Sequence, residues 1–287
     1  MSVLLNRQTK VIVQGITGHQ GQFHANQMRA FGTQVVGGVT PGKGGTEIDG
    51  FPVFGSVREA VDRTGATAST IFVPAPYAKD AAVEAIEAGV RLLAIVTERV
   101  PVHDCLDLMP YARAKGCTII GPNCPGIATA GEAKMGIMPN HLFKPGRVGL
   151  ISRSGTLTYE IVNELTLAGV GQSTCIGIGG DPVIGTNMVE ALDLFDKDTG
   201  TESVVVVGEI GGTAEEEAAA KVKTMGKPVV AYVAGRTAPP GKKMGHAGAI
   251  VLRGRGTAES KMRAFEAAGV KVAAYPSEVP ALLRPRR

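Results

Sequence analysis

"KVIVQGITGHQGQFHANQMRAF" (residues 10–31) passes from a run of β-branched residues, through a turn holding Gly15, Gly18 and Gly21, into a helical pattern. An apolar run that does not alternate with polar residues indicates a strand covered on both faces, as in a parallel sheet. The same order recurs along the chain. "QVVGGV" (34–39), "TIFVP" (70–74), "RLLAIVT" (91–97) and "CTIIGP" (117–122) read as further strands. Between them, "AKDAAVEAIEAGV" (78–90) places Ala82, Ile86 and Val90 on one helical face. Strands alternating with helices imply right-handed crossovers and a parallel sheet.

"AGEAKMGIMPNHLFKPG" (130–146) breaks the alternation with Gly, Pro and Met and reads as a linker. The pattern then restarts with "RVGLIS" (147–152), "STCIGI" (173–178), "SVVVVGEI" (203–210), "PVVAYVA" (228–234) and "KVAAY" (271–275). The expectation is an α/β chain of two doubly wound, five-stranded domains. A length of 287 residues suits two domains of common size.

Composition excludes several classes. No stretch of about 18 apolar residues occurs, so no membrane-spanning helix is expected. The formal charge is only +4, aromatics are 5%, and no Lys/Arg stripe alternates with them, which argues against nucleic acid as a partner. Cys105, Cys117, Cys124 and Cys175 show no CxxC spacing and are too few for a disulfide scaffold. The opening "MSVLLNRQTK" carries no leader pattern, which sets an expectation of a reducing, cytoplasmic setting.

Ligands of open parallel sheets bind beyond the carboxyl ends of the strands. The loops on that edge include "GITGHQG" (15–21), "TPGKGG" (40–45), "TERVP" (97–101), "SRSGTLTYE" (152–160) and "EIGGTAEEE" (209–217). The first resembles a dinucleotide turn, although its glycines miss the usual spacing by one. The end of the second strand offers Lys43 where a nicotinamide fold places an acidic residue, which favours a phosphorylated ribose. "GGVTPGKGG" (37–45) is nearly a P-loop, but Gly44 stands where a magnesium-binding hydroxyl is needed. Any nucleotide site is therefore expected on another chain. Ser154 and Thr156 are good caps for a helix, whose first amides at Gly155–Leu157 suit an anion of phosphate size.

"GRTAPPGKKMGHAGAI" (235–250) sets one histidine, His246, in a loop too glycine-rich to pack as core. Neutral imidazole is a capable nucleophile when a carboxylate holds one ring nitrogen. Glu209, at the end of a strand on the same edge, is the candidate holder.

In order along about residues 1–275, "GITGHQG", "VTPGKGG", "GPNCPG", "SRSGTLTYE", "GIGGDP", "GEIGGTAEEEAA" and "MGHAGAI" resemble the α subunits of succinyl-CoA synthetase (succinate–CoA ligase). The resemblance implies a Rossmann-like CoA-binding domain over 1–128, a linker over 129–146, and a flavodoxin-like ligase domain over 147–287. It implies the reversible reaction of succinate, CoA and a nucleoside triphosphate to succinyl-CoA, nucleoside diphosphate and phosphate, a step of the tricarboxylic acid cycle. The route runs through succinyl phosphate and a phosphohistidine on His246. By the same likeness Glu209 orients His246, while Ser154, Gly155 and Thr156 hold the phosphoryl group. Thr17, Gly18, His19, Gln20, Lys43, Val96, Thr97 and Glu98 bind CoA, and Tyr159 contacts the carboxylate substrate. ATP or GTP with Mg2+ is implied on a partner β subunit of ATP-grasp fold, in an αβ or α2β2 heteromer, and no metal ligand falls to this chain.

Cys124 lies in a stretch resembling the family's lining near the CoA thiol, but a buried structural thiol is the simpler reading. Arg99 replaces the family's usual glycine, His19 occupies a variable position, and Arg253, Arg255 and the tail "ALLRPRR" are unusually basic. The nucleotide, the choice of succinate over malate or itaconate, and the stoichiometry stay open. A nicotinamide oxidoreductase has no use for His246, and a CoA-binding regulator leaves the second half unexplained.

Overall fold

A computed structural model describes residues 2–239, 241–242, 244–251 and 256–283. Arg253, Arg255 and the last four residues of the basic tail lie outside them. The described residues form two units: Leu4–Asn140 with Val183–Gly185, and residues 2–3 and His141–Pro182 with those from Thr186 onward.

In the first unit β1 (Lys10–Gln14), α1 (His19–Phe31), β2 (Gln34–Val39), β3 (Glu47–Ile48), β4 (Phe51–Phe54) and α2 (Val57–Thr64) come first. β5 (Ala68–Ile71), α3 (Ala78–Glu87), β6 (Leu92–Ile95), α4 (Val102–Ala114) and β7 (Thr118–Ile120) follow. The sheet order is β3-β4-β2-β1-β5-β6-β7. Only the β3–β4 pairing is antiparallel. The parallel strands thus wind outward in both directions from β1, and the order reverses between β1 and β5. This is the Rossmann-like winding, with its ligand crevice at that reversal. β3 and β4 exceed the five strands expected, because two- and four-residue strands carrying Pro52 read as turn in the sequence.

Ile12, Ile71, Leu93 and Ile95 pack with Ala82, Ile86 and Leu108 on one side of this sheet. Val13, Ile16, Ala25 and Met28 pack on the other. Coverage of both faces explains the unbroken apolar runs.

The stretch read as a linker over 129–146 begins inside a hairpin of the first unit, β8 (Gly126–Thr129) with β9 (Ala133–Gly136). Both strands are buried. Thr33 Oγ1 donates to the Lys134 carbonyl at 2.8 Å and accepts from its amide at 2.9 Å. Gly126 and Gly136 pair across the hairpin, and a Cβ on Gly126 would fall 1.9 Å from the Met135 oxygen. Those glycines permit close backbone approach, and the same glycines make the sequence resemble a loop.

The second unit contains β10 (Pro145–Ser152), α5 (Gly155–Leu167), β11 (Gln172–Gly177), α6 (Met188–Lys197) and β12 (Ser203–Gly208). It continues with α7 (Ala214–Val222), β13 (Val229–Val233), α8 (Ala258–Ala267), β14 (Lys271–Ala273) and α9 (Val279–Leu283). These five strands are parallel in the order β14-β13-β12-β10-β11. That is the flavodoxin-like winding, reversing between β10 and β12. Gly149 leaves room on β10 for the Phe195 ring, which a Cβ would meet at 2.6 Å.

The turn after β1 depends on two glycines. Gly15 has φ +83°, a left-handed conformation that other residues adopt at a cost. Gly21 lies so close to that turn that a Cβ would sit 2.2 Å from the Gly15 oxygen. Gly21→Ala is expected to lower unfolding stability by about 1–3 kcal/mol, the usual range for overpacking. Gln20→Ala, on the exposed first turn of α1, is expected to stay within about 0.5 kcal/mol. Urea denaturation of both variants checks the contrast.

Candidate active site

At the end of β10 the chain turns through Arg153 and Ser154 into α5. Ser154 is an extended N-cap whose Oγ accepts from the Leu157 amide at 3.3 Å. Its own amide donates to Ser152 Oγ at 3.1 Å. The amides of Gly155 and Thr156 have no acceptor among the described residues. They lie at the positive end of a 13-residue helix, where an anion is stabilised by both dipole and hydrogen bonds. Ser154, Gly155 and Thr156 therefore form one cradle. Tyr159 stands one helical turn further on, half-buried.

Glu209 directly follows β12, the strand next to β10, and its carboxylate is buried. His246 Nδ1 lies 3.0 Å from Glu209 Oε1 and 3.0 Å from Oε2. A ring nitrogen facing a carboxylate donates, so Nδ1 carries the proton and the lone pair resides on Nε2. Nε2 has no hydrogen-bond partner among the described residues, and the side chain is 26% exposed. The loop holds its own shape through His246 N–H to Met244 O at 3.1 Å and Ala249 N–H to His246 O at 3.2 Å. Beneath the ring lies Gly180, where a Cβ would come within 2.3 Å of His246 Cγ and Nδ1.

The imidazole is held above its ordinary pKa. The hydrogen bond to Glu209 is the main cause, and the charges of Glu209 and Asp181 add to it. Burial and the nearby Arg153 guanidinium oppose the rise.

Three charged side chains that sequence reading did not single out complete this region. Arg153 Nη2 lies 3.5 Å from Glu209 Oε1. Its Nη1 donates to Glu215 Oε1 and to the Gly211 carbonyl, both at 3.0 Å. Lys261 Nζ pairs with Glu215 Oε2 and donates to the same Gly211 carbonyl at 2.7 Å. Two patterns hinted at them. Glu215 opens an acidic run that otherwise reads as a solvated face, and Lys261 takes an apolar-face position between Ala258 and Phe265 on α8.

In the first unit a cavity of about 660 Å3 opens at the β1/β5 reversal. Gly18, His19 and Gln20 line it, along with Thr40 and the Phe72–Pro74 segment. Exposed Tyr77 stands at its rim. Thr17 Oγ1 donates to Thr40 Oγ1 at 3.2 Å, and Lys43 Nζ lies 3.4 Å from Thr17 Oγ1, which ties both to this pocket. Val96, Thr97 and Glu98 follow β6. Thr97 connects to the pocket wall by donating to the Val73 carbonyl at 2.7 Å, whereas Glu98 is exposed. Arg99 adopts φ +61°, the conformation that a glycine would take without strain. Cys124 is buried, its Sγ 3.3 Å from the Ile95 carbonyl. No helix among the described residues is long and apolar enough to cross a membrane.

Comparison with known proteins follows the same division. A family profile described as a CoA binding domain matches residues 6–99, and one described as CoA-ligase matches residues 151–271. The chain is 57% identical to a succinate–CoA ligase [ADP-forming] subunit alpha 2 of Archaeoglobus fulgidus, covering 99% of both chains. It is 56% identical to the corresponding alpha subunit of Aquifex aeolicus, over 97% of this chain and 92% of that one. Among solved structures it resembles an ATP citrate lyase of Methanothrix soehngenii in complex with citrate and coenzyme A. There the TM-score is 0.88 at 26% identity, with 98% of this chain but only 50% of the lyase chain covered.

Gly180 supplies a test of the imidazole's seat. Gly180→Ala places a methyl group where the ring lies and is expected to evict His246 from Glu209. The His246 titration midpoint, followed by NMR, should then fall to about 6.5. A midpoint still raised as in the parent protein would mean that the seat does not depend on this contact.

Proposed function

The chain belongs to the family of succinate–CoA ligase α subunits, and on that premise we propose that it joins succinate to CoA with His246 as phosphoryl carrier. The observation that carries this reading is the imidazole itself, with Nδ1 fixed by Glu209 and Nε2 unclaimed. In the direction of nucleotide synthesis, phosphate attacks the succinyl thioester carbonyl, giving succinyl phosphate and releasing CoA. Nε2 then attacks phosphorus, the P–O bond to the acyl oxygen breaks, and succinate leaves. As Nε2 gains its phosphoryl group the ring becomes cationic, and the Glu209 carboxylate stabilises that charge through the Nδ1 proton. The Gly155 and Thr156 amides and the Ser154 cap would receive the phosphoryl oxygens.

The phosphohistidine then yields its group to a nucleoside diphosphate. That nucleotide, ADP by analogy with the named relatives, is held with Mg2+ on an ATP-grasp β subunit. The first unit takes CoA. Its glycine turn allows the pyrophosphate to approach the backbone at His19 and Gln20, and Lys43 meets the 3′-phosphate beside Thr17. Val96, Thr97 and Glu98 border the same ligand, and Tyr159 reads the dicarboxylate. Four cysteines outside any disulfide accord with a cytoplasmic setting.

Incubating the αβ enzyme with succinyl-CoA and phosphate should give His246 an acid-labile adduct of about 80 Da, one phosphoryl group. His246→Ala should lose both label and turnover while still binding CoA; turnover retained in that variant would refute the carrier role. Lys43→Ala should weaken CoA about tenfold or more while changing dephospho-CoA far less, as expected for one lost charge-assisted contact. Equal losses in calorimetric titrations would remove Lys43 from the 3′-phosphate.

A further inference from the structure

We propose that Arg153 is a positioning residue for phosphoryl transfer, anchored by the buried Glu215–Lys261 pair so that its guanidinium shares the Glu209 carboxylate and weakens the pull of that carboxylate on a second His246 proton. The inference rests on the phosphohistidine reading and extends it to groups that touch no reactant.

A histidine in contact with a single carboxylate tends to take up a proton, because the ion pair favours the charged ring. A protonated ring has no lone pair at Nε2. The contact that aims the nucleophile therefore also threatens to disable it, unless another cation competes for the carboxylate. Arg153 is placed to compete. Glu209 Oε1 lies 3.0 Å from His246 Nδ1 and 3.5 Å from Arg153 Nη2, so one oxygen serves both.

The guanidinium is not free to turn away. Nη1 is committed to Glu215 and to the Gly211 carbonyl. Lys261 grips the other oxygen of Glu215 and the same carbonyl. Glu215 Oε1 also accepts from the Glu209 amide at 3.0 Å, so the turn carrying Glu209 is pinned at both ends. Arg153, Glu209, Glu215 and Lys261 are all buried. Two cations balance two carboxylates without a charge on the imidazole.

The charged groups acting on His246 are Glu209 beyond β12, Arg153 beyond β10 and Asp181 beyond β11. Glu215 on α7 and Lys261 on α8 stand behind them. Of these, Glu209 and Asp181 push the ring toward protonation and Arg153 pulls it back.

Arg153→Met tests the role, because Glu215 and Lys261 remain paired one to one and the Glu209 carboxylate is left with His246 as its partner. In the assembled αβ enzyme, the His246 midpoint by NMR is expected to rise by about one pH unit. His246 phosphorylation should fall about tenfold near pH 6.5 and stay within about twofold of the parent near pH 8.5, since only the neutral ring attacks. CoA affinity should not change. Arg153→Lys keeps a cation but not the fork, and should shift the midpoint in the same direction by less. A midpoint unmoved in both variants, or a rate loss equal at every pH, overturns the proposal. If Arg153→Met does not assemble, Arg153→Lys decides by the same two readouts. A parent enzyme that takes no label would instead defeat the phosphohistidine reading, and the ring titration would still report on Arg153.

Discussion

Glu209 sits at the end of a strand covered on both faces, with a carboxylate that water scarcely reaches. Removing a charge from water costs several kcal/mol, and only close counter-charges and hydrogen bonds offset it. Arg153 supplies a permanent counter-charge at 3.5 Å, but Arg153 is itself buried and leans on Glu215. Glu215 in turn leans on Lys261. The chain of dependence ends only where the last charge is matched. Taking one member away leaves its neighbour uncompensated, which is far more damaging than replacing a matched pair. The imidazole of His246 is therefore held by a carboxylate that has almost no freedom to move.

That rigidity contrasts with the segment carrying His246. Gly241 and Gly245 both have positive φ, and Gly248 lies against Gly180 and Arg153 with no side chain of its own. The partner is fixed while the loop is built from residues with few backbone restraints. The carrier role proposed for His246, receiving a phosphoryl at one place and surrendering it at another, needs that combination.

The two units follow one geometric rule with different chemistry. In each, the strand order reverses beside the first strand of the series, and the loops leaving that point diverge to open a crevice. At the β1/β5 reversal the walls combine glycine backbone and apolar side chains with polar groups such as His19, Gln20 and Thr40, suited to a large ligand held along its length. At the β10/β12 reversal the space is filled by charged side chains and a capped helix start, suited to a small anion and a nucleophile.

The periodicity of the sequence by itself determined that the chain is two parallel α/β layers, because strands buried on both faces must be continuously apolar. Turn chemistry likewise located Gly15, Gly18 and Gly21, the Ser154 cap and the solitary His246, since each depends on neighbours within a few positions. The short β3, β4 and the β8–β9 hairpin were not legible, because strands of two to four residues leave no period and Gly126, Gly136 and Pro52 imitate loops. Nor did spacing connect Arg153 to Glu215 and Lys261, which lie 62 and 108 positions away in the chain. Only the sheet order brings β10 beside β12 and lays α7 and α8 next to their ends. Burial then turned an acidic run and a helical lysine, each ordinary on a surface, into matched charges that had to find one another.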